Sequence, residues 1–401
     1  MNLRMQLGCA LMALAAAGAA QAQSGGCNER AATASETVKV PGRPFGVVPS
    51  RDGCWLFASM VGPQAENRGI AVLQRGGGRV SVTRVVTLAS APTGIVLTHD
   101  GKLLIAATGD GVTFVDVGKM TSGAGDAVVG AFSDGARSGS VYVNVTADDK
   151  VLFVSEEAAS VVTVIDLERA RSNGYQASAI IGKVPVGLAP IALTFSADEK
   201  WLYTTSELAA TDWNWPKACK PEGQDPAKSE ITYPEGAVVV VDVAKARTRP
   251  AEAVASRVPA ECSAVRMAMS PDGRRIYVTA RNSNAVMAFD TAKLVTDGAH
   301  ARVGSAAVGS SPVPVAVIDG GKKVLAGNSN RFGGASAGET LTVLDAAKME
   351  SGGEAMLGSI AVGAFPREMR VSADGHTLFL TNFGSNSIQL IDLDHLPMKA
   401  K

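Results

Sequence analysis

Metal-ligating patterns are missing from this chain. Its four histidines, His99, His300, His376 and His395, are scattered, and its five cysteines form no C-x-x-C, no C-x-x-C-H and no zinc-type spacing. Haem attachment and a structural zinc site are thereby excluded as sequence motifs, no copper ligation set is present, and no cofactor is expected. Excess charge is missing too: 38 basic residues face 38 acidic ones. That balance argues against a nucleic-acid binder held by phosphate contacts. Beyond the N-terminus there is no long apolar run and almost no helix-type apolar periodicity. With 43 glycines and modest charge, this is an all-β composition.

The N-terminus carries one positive charge, Arg4, then an apolar stretch from Leu7 to Ala19, then Ala20-Gln21-Ala22. This reads as a secretory signal peptide over residues 1–22, cut after Ala22. The apolar stretch is short for a membrane span. Cys9 and Cys27 lack the Leu three residues upstream that lipid attachment favours; Gln6 and Ser24 stand there. The remaining chain, 23–401, is expected to be one soluble, exported domain, periplasmic or secreted, without a transmembrane segment and monomeric. Removing Arg4 leaves 37 basic against 38 acidic residues, a net charge of −1. Four cysteines remain, Cys27, Cys54, Cys219 and Cys262, an even count that suggests disulfides in an oxidising compartment.

What the chain does contain is a repeat. Glu261 to Asp290 holds three short apolar runs separated by the turns Ser270-Pro271-Asp272-Gly273 and Arg281-Asn282-Ser283-Asn284. The same turn recurs at Asp52, Asp100, Asp148, Asp198, Asp272 and Asp374, with Gly320 at the equivalent place, at spacings of 48, 48, 50, 74, 48 and 54. Eight residues before the anchor stands Pro44, Pro92, Pro190, Pro312 or Pro366, with Ser140 and Ala264 in the other two copies. A third strand closes at Asp116, Asp166, Asp242, Asp290, Asp345 and Asp392, and near Gln74 in the first copy. Seven copies, each with room for four short strands, predict a seven-bladed β-propeller. Thr37 to Val40 is expected to supply the outermost strand of the last blade and so close the ring.

The runs S-P-D-G-R-R-I-Y-V-T-A-R-N-S-N at 270–284 and S-A-D-G-H-T-L-F-L-T-N-F-G-S-N-S-I at 372–388 resemble the YVTN-type propeller repeat. The resemblance covers essentially the whole chain after the signal peptide and implies seven blades and export from a prokaryotic cell. Some members of the wider superfamily are sugar-lactone hydrolases, with an Arg-His pair after a Pro on an inner strand and a Glu ending the next strand. Here Pro190 and Glu207 match, while Ile191-Ala192 replace the Arg-His pair.

On a propeller, the Asp-Gly hairpins lie at the bottom, and the inter-blade connections and second-to-third-strand loops lie at the top. The longest insertion, between Glu207 and Gly236, is a top loop and carries Trp213 and Trp215. Cys219 in that insertion and Cys262 in the next top connection favour one disulfide. Cys27 and Cys54, both expected near the bottom, favour the other. Alternation along the inner strands points Tyr142, Asn144, Arg266, Glu368 and Arg370 at the central channel, with Glu156, Glu157, Glu207, Arg281 and Arg367 near its upper rim. Arg266, Glu368, Arg370 and Tyr142 are the catalytic candidates; the others, with Trp213 and Trp215, are binding candidates. Gly334-Ala335-Ser336-Ala337-Gly338 spells G-x-S-x-G but sits in a Gly-rich loop without the strand-turn-helix setting of a nucleophile elbow. Asn144-Val145-Thr146 matches a glycosylation acceptor within a strand expected to be buried.

Two functions fit. One is an exported, non-enzymatic propeller that binds a protein, peptide or small ligand at its top face and channel mouth. The other is a lactonase-like hydrolase or lyase in which an Arg polarises a carbonyl and Glu or Tyr moves a proton. Mutating Arg266 separates them.

Overall fold

The structure is a computed structural model that describes residues 27, 33–76, 79–333 and 339–400. Among the described residues, seven antiparallel sheets of four or five strands are arranged as a seven-bladed β-propeller, and one further two-stranded sheet lies in an insertion. We number the blades 1 to 7 in chain order. The innermost strands are Arg43–Pro49, Pro92–Leu97, Ser140–Val145, Leu188–Phe195, Ala264–Met269, Pro312–Ile318 and Pro366–Val371. Each contacts the inner strands of the blades on both sides, and blade 1 contacts blade 7, so the ring is closed.

Closure runs through the chain ends. Ser35–Lys39 pairs with Ser387–Asp392 and completes blade 7, slightly earlier in sequence than expected. A second closure was not legible: Lys399–Ala400 pairs with Ser359 and Gly358 and adds a fifth strand to blade 6. The Cys27–Cys54 disulfide ties the N-terminal segment to the first hairpin of blade 1. Cys219–Cys262 joins the blade 4 insertion to the connection entering blade 5.

The repeat motifs have local physical causes. At the hairpin before the second strand, in every blade except blade 6, where Ile318 and Gly320 stand, a Ser or Thr hydroxyl donates to the Asp two residues on, as in Ser270 to Asp272 at 2.6 Å and Thr98 to Asp100 at 2.6 Å. The Asp accepts the backbone N–H two residues further, and the hydroxyl accepts the N–H of the next strand's first residue, as Arg274 and Arg275 do here. The Asp ending the third strand has a different task. Asp116, Asp166, Asp242, Asp290 and Asp345 cap short helices, Val117–Ser122, Leu167–Ser172, Val243–Ala246, Thr291–Thr296 and Ala346–Ser351. These helices span at most six residues, too few for apolar periodicity to reveal them.

The core consists of seven apolar clusters; six lie between two neighbouring blades, and the seventh, between blades 3 and 4, also reaches the inner strands of blades 1, 5 and 6. Val47, Leu56 and Leu73 of blade 1 pack on Phe379, Ile388 and Leu390 of blade 7, for example. No blade buries both faces alone, so burial requires the full ring.

Candidate channel and top-face sites

The inner strands do not alternate simply. Each carries a register shift near its start, between Pro44 and Val47, Ala264 and Met267, or Pro366 and Glu368, for example. Two residues there face one on the second strand, which is a β-bulge. In blades 1, 3, 4, 5 and 7 the facing residue is a Ser or Thr of the Tyr-Val-Thr-type run; in blades 2 and 6 it is Ala107 and Gly327. Thr279 accepts from the Arg266 N–H at 3.1 Å and donates to the Val313 carbonyl of blade 6 at 2.9 Å. Thr381 accepts from Glu368 N–H at 2.9 Å and donates to Phe45 of blade 1 at 3.1 Å. The motif threonine therefore satisfies the bulge and joins neighbouring blades.

The bulge brings two successive side-chain layers to the axis. The lower layer is Gly46, Gly94, Tyr142, Ala192, Arg266, Pro314 and Glu368. Four of these are small or compact, which leaves room for Tyr142, Arg266 and Glu368 to meet across the channel. The Tyr142 hydroxyl donates to Glu368 Oε2, and Arg266 Nη1 lies 3.2 Å from the same oxygen. The Arg266 guanidinium carbon sits 3.7 Å from the Tyr142 ring centroid. Arg370 Nη2 is 3.3 Å from Glu368 Oε1. Burial pushes the Arg266 guanidinium down to about 9, although Glu368 opposes the shift.

The upper layer was missed by alternation. Phe45, Val141, Ile191, Val265 and Val313 belong to one buried apolar cluster with Tyr142. Thr93 and Arg367 complete the layer, the Arg367 guanidinium carbon lying 4.3 Å from the Phe45 centroid and 5.5 Å from that of Phe365. Burial lowers the Arg367 guanidinium to about 10. This layer covers the polar cluster on the top side. Below it lies a cavity of about 330 Å³, lined by Arg266, Glu368 and Arg370 together with Met267, Met269 and Val317 near the hairpin ends of the strands. The cluster is thus approached from the hairpin face rather than from the top mouth.

The remaining candidates separate into four groups. Asn144 donates to the Leu193 carbonyl at 3.0 Å and links blade 3 to blade 4. Glu156 turns outward along blade 3 instead of towards the channel rim: it accepts from Thr163 and lies 3.0 Å from Lys183 Nζ. Burial raises its carboxyl to about 7, and the neighbouring Asp134 carboxyl adds to the shift.

Glu207, Arg281 and Arg367 do gather at the top, with the exposed Glu157 acting on both Glu207 and Arg367. Arg281 is 2.9 Å from Glu207 and 2.6 Å from Glu222 of the insertion. These carboxylates raise the Arg281 guanidinium despite its burial, whereas desolvation raises Glu207. Glu222 was not a sequence candidate, because nothing in its spacing announces a partner 59 residues away.

The insertion is itself ordered by a short ribbon, Lys217–Cys219 with Tyr233–Pro234. Trp213 and Trp215 are 5.3 Å apart and pack against the core between blades 3 and 4, with Arg257 over Trp213 at 5.0 Å. Exposed large apolar side chains collect on the same face: Leu188, Ile231, Tyr233 and Phe332 are 38%, 53%, 44% and 45% exposed. Phe332, from the blade 6 top loop, lies over Gly223 of the insertion, where a Cβ would come within 2.7 Å of the ring. Among the described residues, no group of three or more His, Cys, Asp or Glu side chains is placed to hold a metal ion. The G-x-S-x-G run at 334–338 lies outside the described residues.

No protein-family model matches the chain, and no curated protein matches it. Among solved structures, a chain of Kuenenia stuttgartiensis hydrazine synthase is similar at TM-score 0.62 and 18% identity, covering 88% of this chain and 97% of that one. A chain of the mitotic checkpoint complex is similar at TM-score 0.63 and 12% identity, covering 98% of each. At such identities the likeness is one of architecture: the chain is a seven-bladed β-propeller.

Proposed function

We propose that this protein is an exported, monomeric propeller that binds a protein or peptide through its top face. The observation that carries this reading is the gathering of Leu188, Ile231, Tyr233 and Phe332 on loops of one face. A disulfide and the Glu207–Arg281–Glu222 ion pairs anchor the insertion on that face. Apolar groups held outward on a stiff frame lose little entropy when a partner covers them. The test is cross-linking of the tagged mature protein in extract of its own cell envelope, beside an Ile231→Asp/Tyr233→Asp variant of unchanged melting temperature. A partner captured by the wild type and lost in the variant supports the reading. Equal capture by both, or none by either, rejects it.

The second reading is a lactonase-like hydrolase or lyase. It is favoured by one observation, the Tyr142 hydroxyl bonded to Glu368 beside a cavity that Arg266 also lines. It requires lactone turnover by the wild type that Arg266→Ala or Glu368→Gln abolishes with the fold intact.

A further inference from the structure

The channel cavity carries more positive charge than its own residues neutralise. Three charged side chains line it, Arg266, Arg370 and Glu368, leaving one net positive charge. Glu368 is already committed to Tyr142 and to both arginines. Arg266 is only 6% exposed and its donors are poorly used. Its Nη1 meets Glu368, its Nη2 makes a long 3.4 Å bond to the Arg367 carbonyl, and its buried Nε has no acceptor. Arg370 is different: its side chain is 48% exposed at the open end of the cavity, with Nη2 on Glu368. The walls beside these cations are apolar, including Met267, Met269, Val317 and Val371.

We infer that this cavity binds a small monocarboxylate with an apolar body, admitted from the hairpin face and held by Arg370 and Arg266. The charge selects the head group. One negative charge neutralises the excess, whereas a phosphate dianion would overshoot it beside Glu368. A planar carboxylate also suits the guanidinium fork. The methionine and valine walls select the body, since an apolar group there leaves water. A volume of about 330 Å³ is at the small end of ligand pockets and excludes a macromolecule. Burial lowers the Arg266 guanidinium to about 9, consistent with a cation lacking full compensation. This site is independent of the top face.

The test is isothermal titration of the full mature protein with benzoate and hexanoate, beside the neutral benzamide and hexanamide and inorganic phosphate. Saturable binding of a carboxylate is expected, with no measurable binding of its amide. Arg370→Gln should weaken it at least about tenfold, while Arg370→Lys retains part of the affinity. Ile231→Asp/Tyr233→Asp should leave it unchanged, which separates this site from the top-face reading. Equal binding of acid and amide, binding of phosphate alone, an unchanged Kd in Arg370→Gln, or no saturable binding of either acid would overturn the proposal. The comparison of acid with amide on the wild type decides the point even if a variant folds poorly.

Discussion

The Tyr142 hydroxyl of blade 3 donates to Glu368 of blade 7, 226 residues later and across the channel axis. Arg266 of blade 5 lies against both partners. Three non-adjacent blades are therefore joined at the axis by groups that no neighbouring-blade contact could bring together. Removing the carboxylate leaves a buried guanidinium without its principal counter-charge. Glu368→Ala is expected to cost about 3–5 kcal/mol, and Tyr142→Phe about 1–2 kcal/mol. Urea denaturation of the purified variants measures both; equal, negligible losses would mean that the cluster does not brace the ring.

Thr279 is the hydroxyl of the Tyr-Val-Thr run in blade 5, bonded to the Arg266 N–H and the Val313 carbonyl. Thr279→Val keeps the shape and removes the hydroxyl that serves both partners. Two buried backbone groups then lack their bonds, at a cost of about 2–4 kcal/mol. Thr279→Ser should recover most of it. A valine variant as stable as the wild type would show that the motif threonine is kept for its shape alone.

Glu156 is fully buried, with its carboxyl raised from the ordinary 4.5 to about 7 by desolvation first and Asp134 second. An acid raised on folding holds its proton in the native state while the unfolded chain has already lost it. Its stabilising contribution is present below pH 4.5 and is lost as pH rises through 7. The melting temperature should fall between pH 5 and pH 8 by more in the wild type than in Glu156→Gln. Parallel pH profiles for the two proteins would rule out this linkage.

The disulfides enclose separations of 27 and 43 residues. Loop-closure entropy assigns each about 3–4 kcal/mol. Their effects should nevertheless differ in place. Cys27→Ser/Cys54→Ser frees the N-terminal segment and lowers global stability. Cys219→Ser/Cys262→Ser is expected to expose the 207–236 insertion to limited proteolysis first. Identical cleavage patterns for the two variants would contradict that separation.

Periodicity made the seven-fold architecture legible. Most blades repeat the same local devices, a Ser/Thr-x-Asp turn in all but blade 6 and a Ser or Thr facing the bulge from the second strand in all but blades 2 and 6, and local hydrogen bonds depend only on residues near in sequence. The disulfide partners followed from the same topology. Glu156 was misplaced because strand position alone does not say which way a strand-end side chain turns; Thr163 and Lys183 draw it outward. Glu222 was invisible because the insertion that carries it has no repeat to place it. The side of the axis on which the polar cluster opens was hidden by the bulge, which puts Phe45 and Gly46 on one face and defeats the period of two.

The amino-acid order by itself determined that seven half-buried sheets had to be made and that none could bury its faces alone. It also determined which residues would stand on the inner strands. Only the closed ring decided that Tyr142, Arg266 and Glu368 touch, that Arg367 and Phe45 cover them, and that the remaining cavity faces the hairpins. The reason is distance along the chain. Contacts within a blade are set by short-range geometry, whereas contacts across the axis exist only once the last blade has met the first.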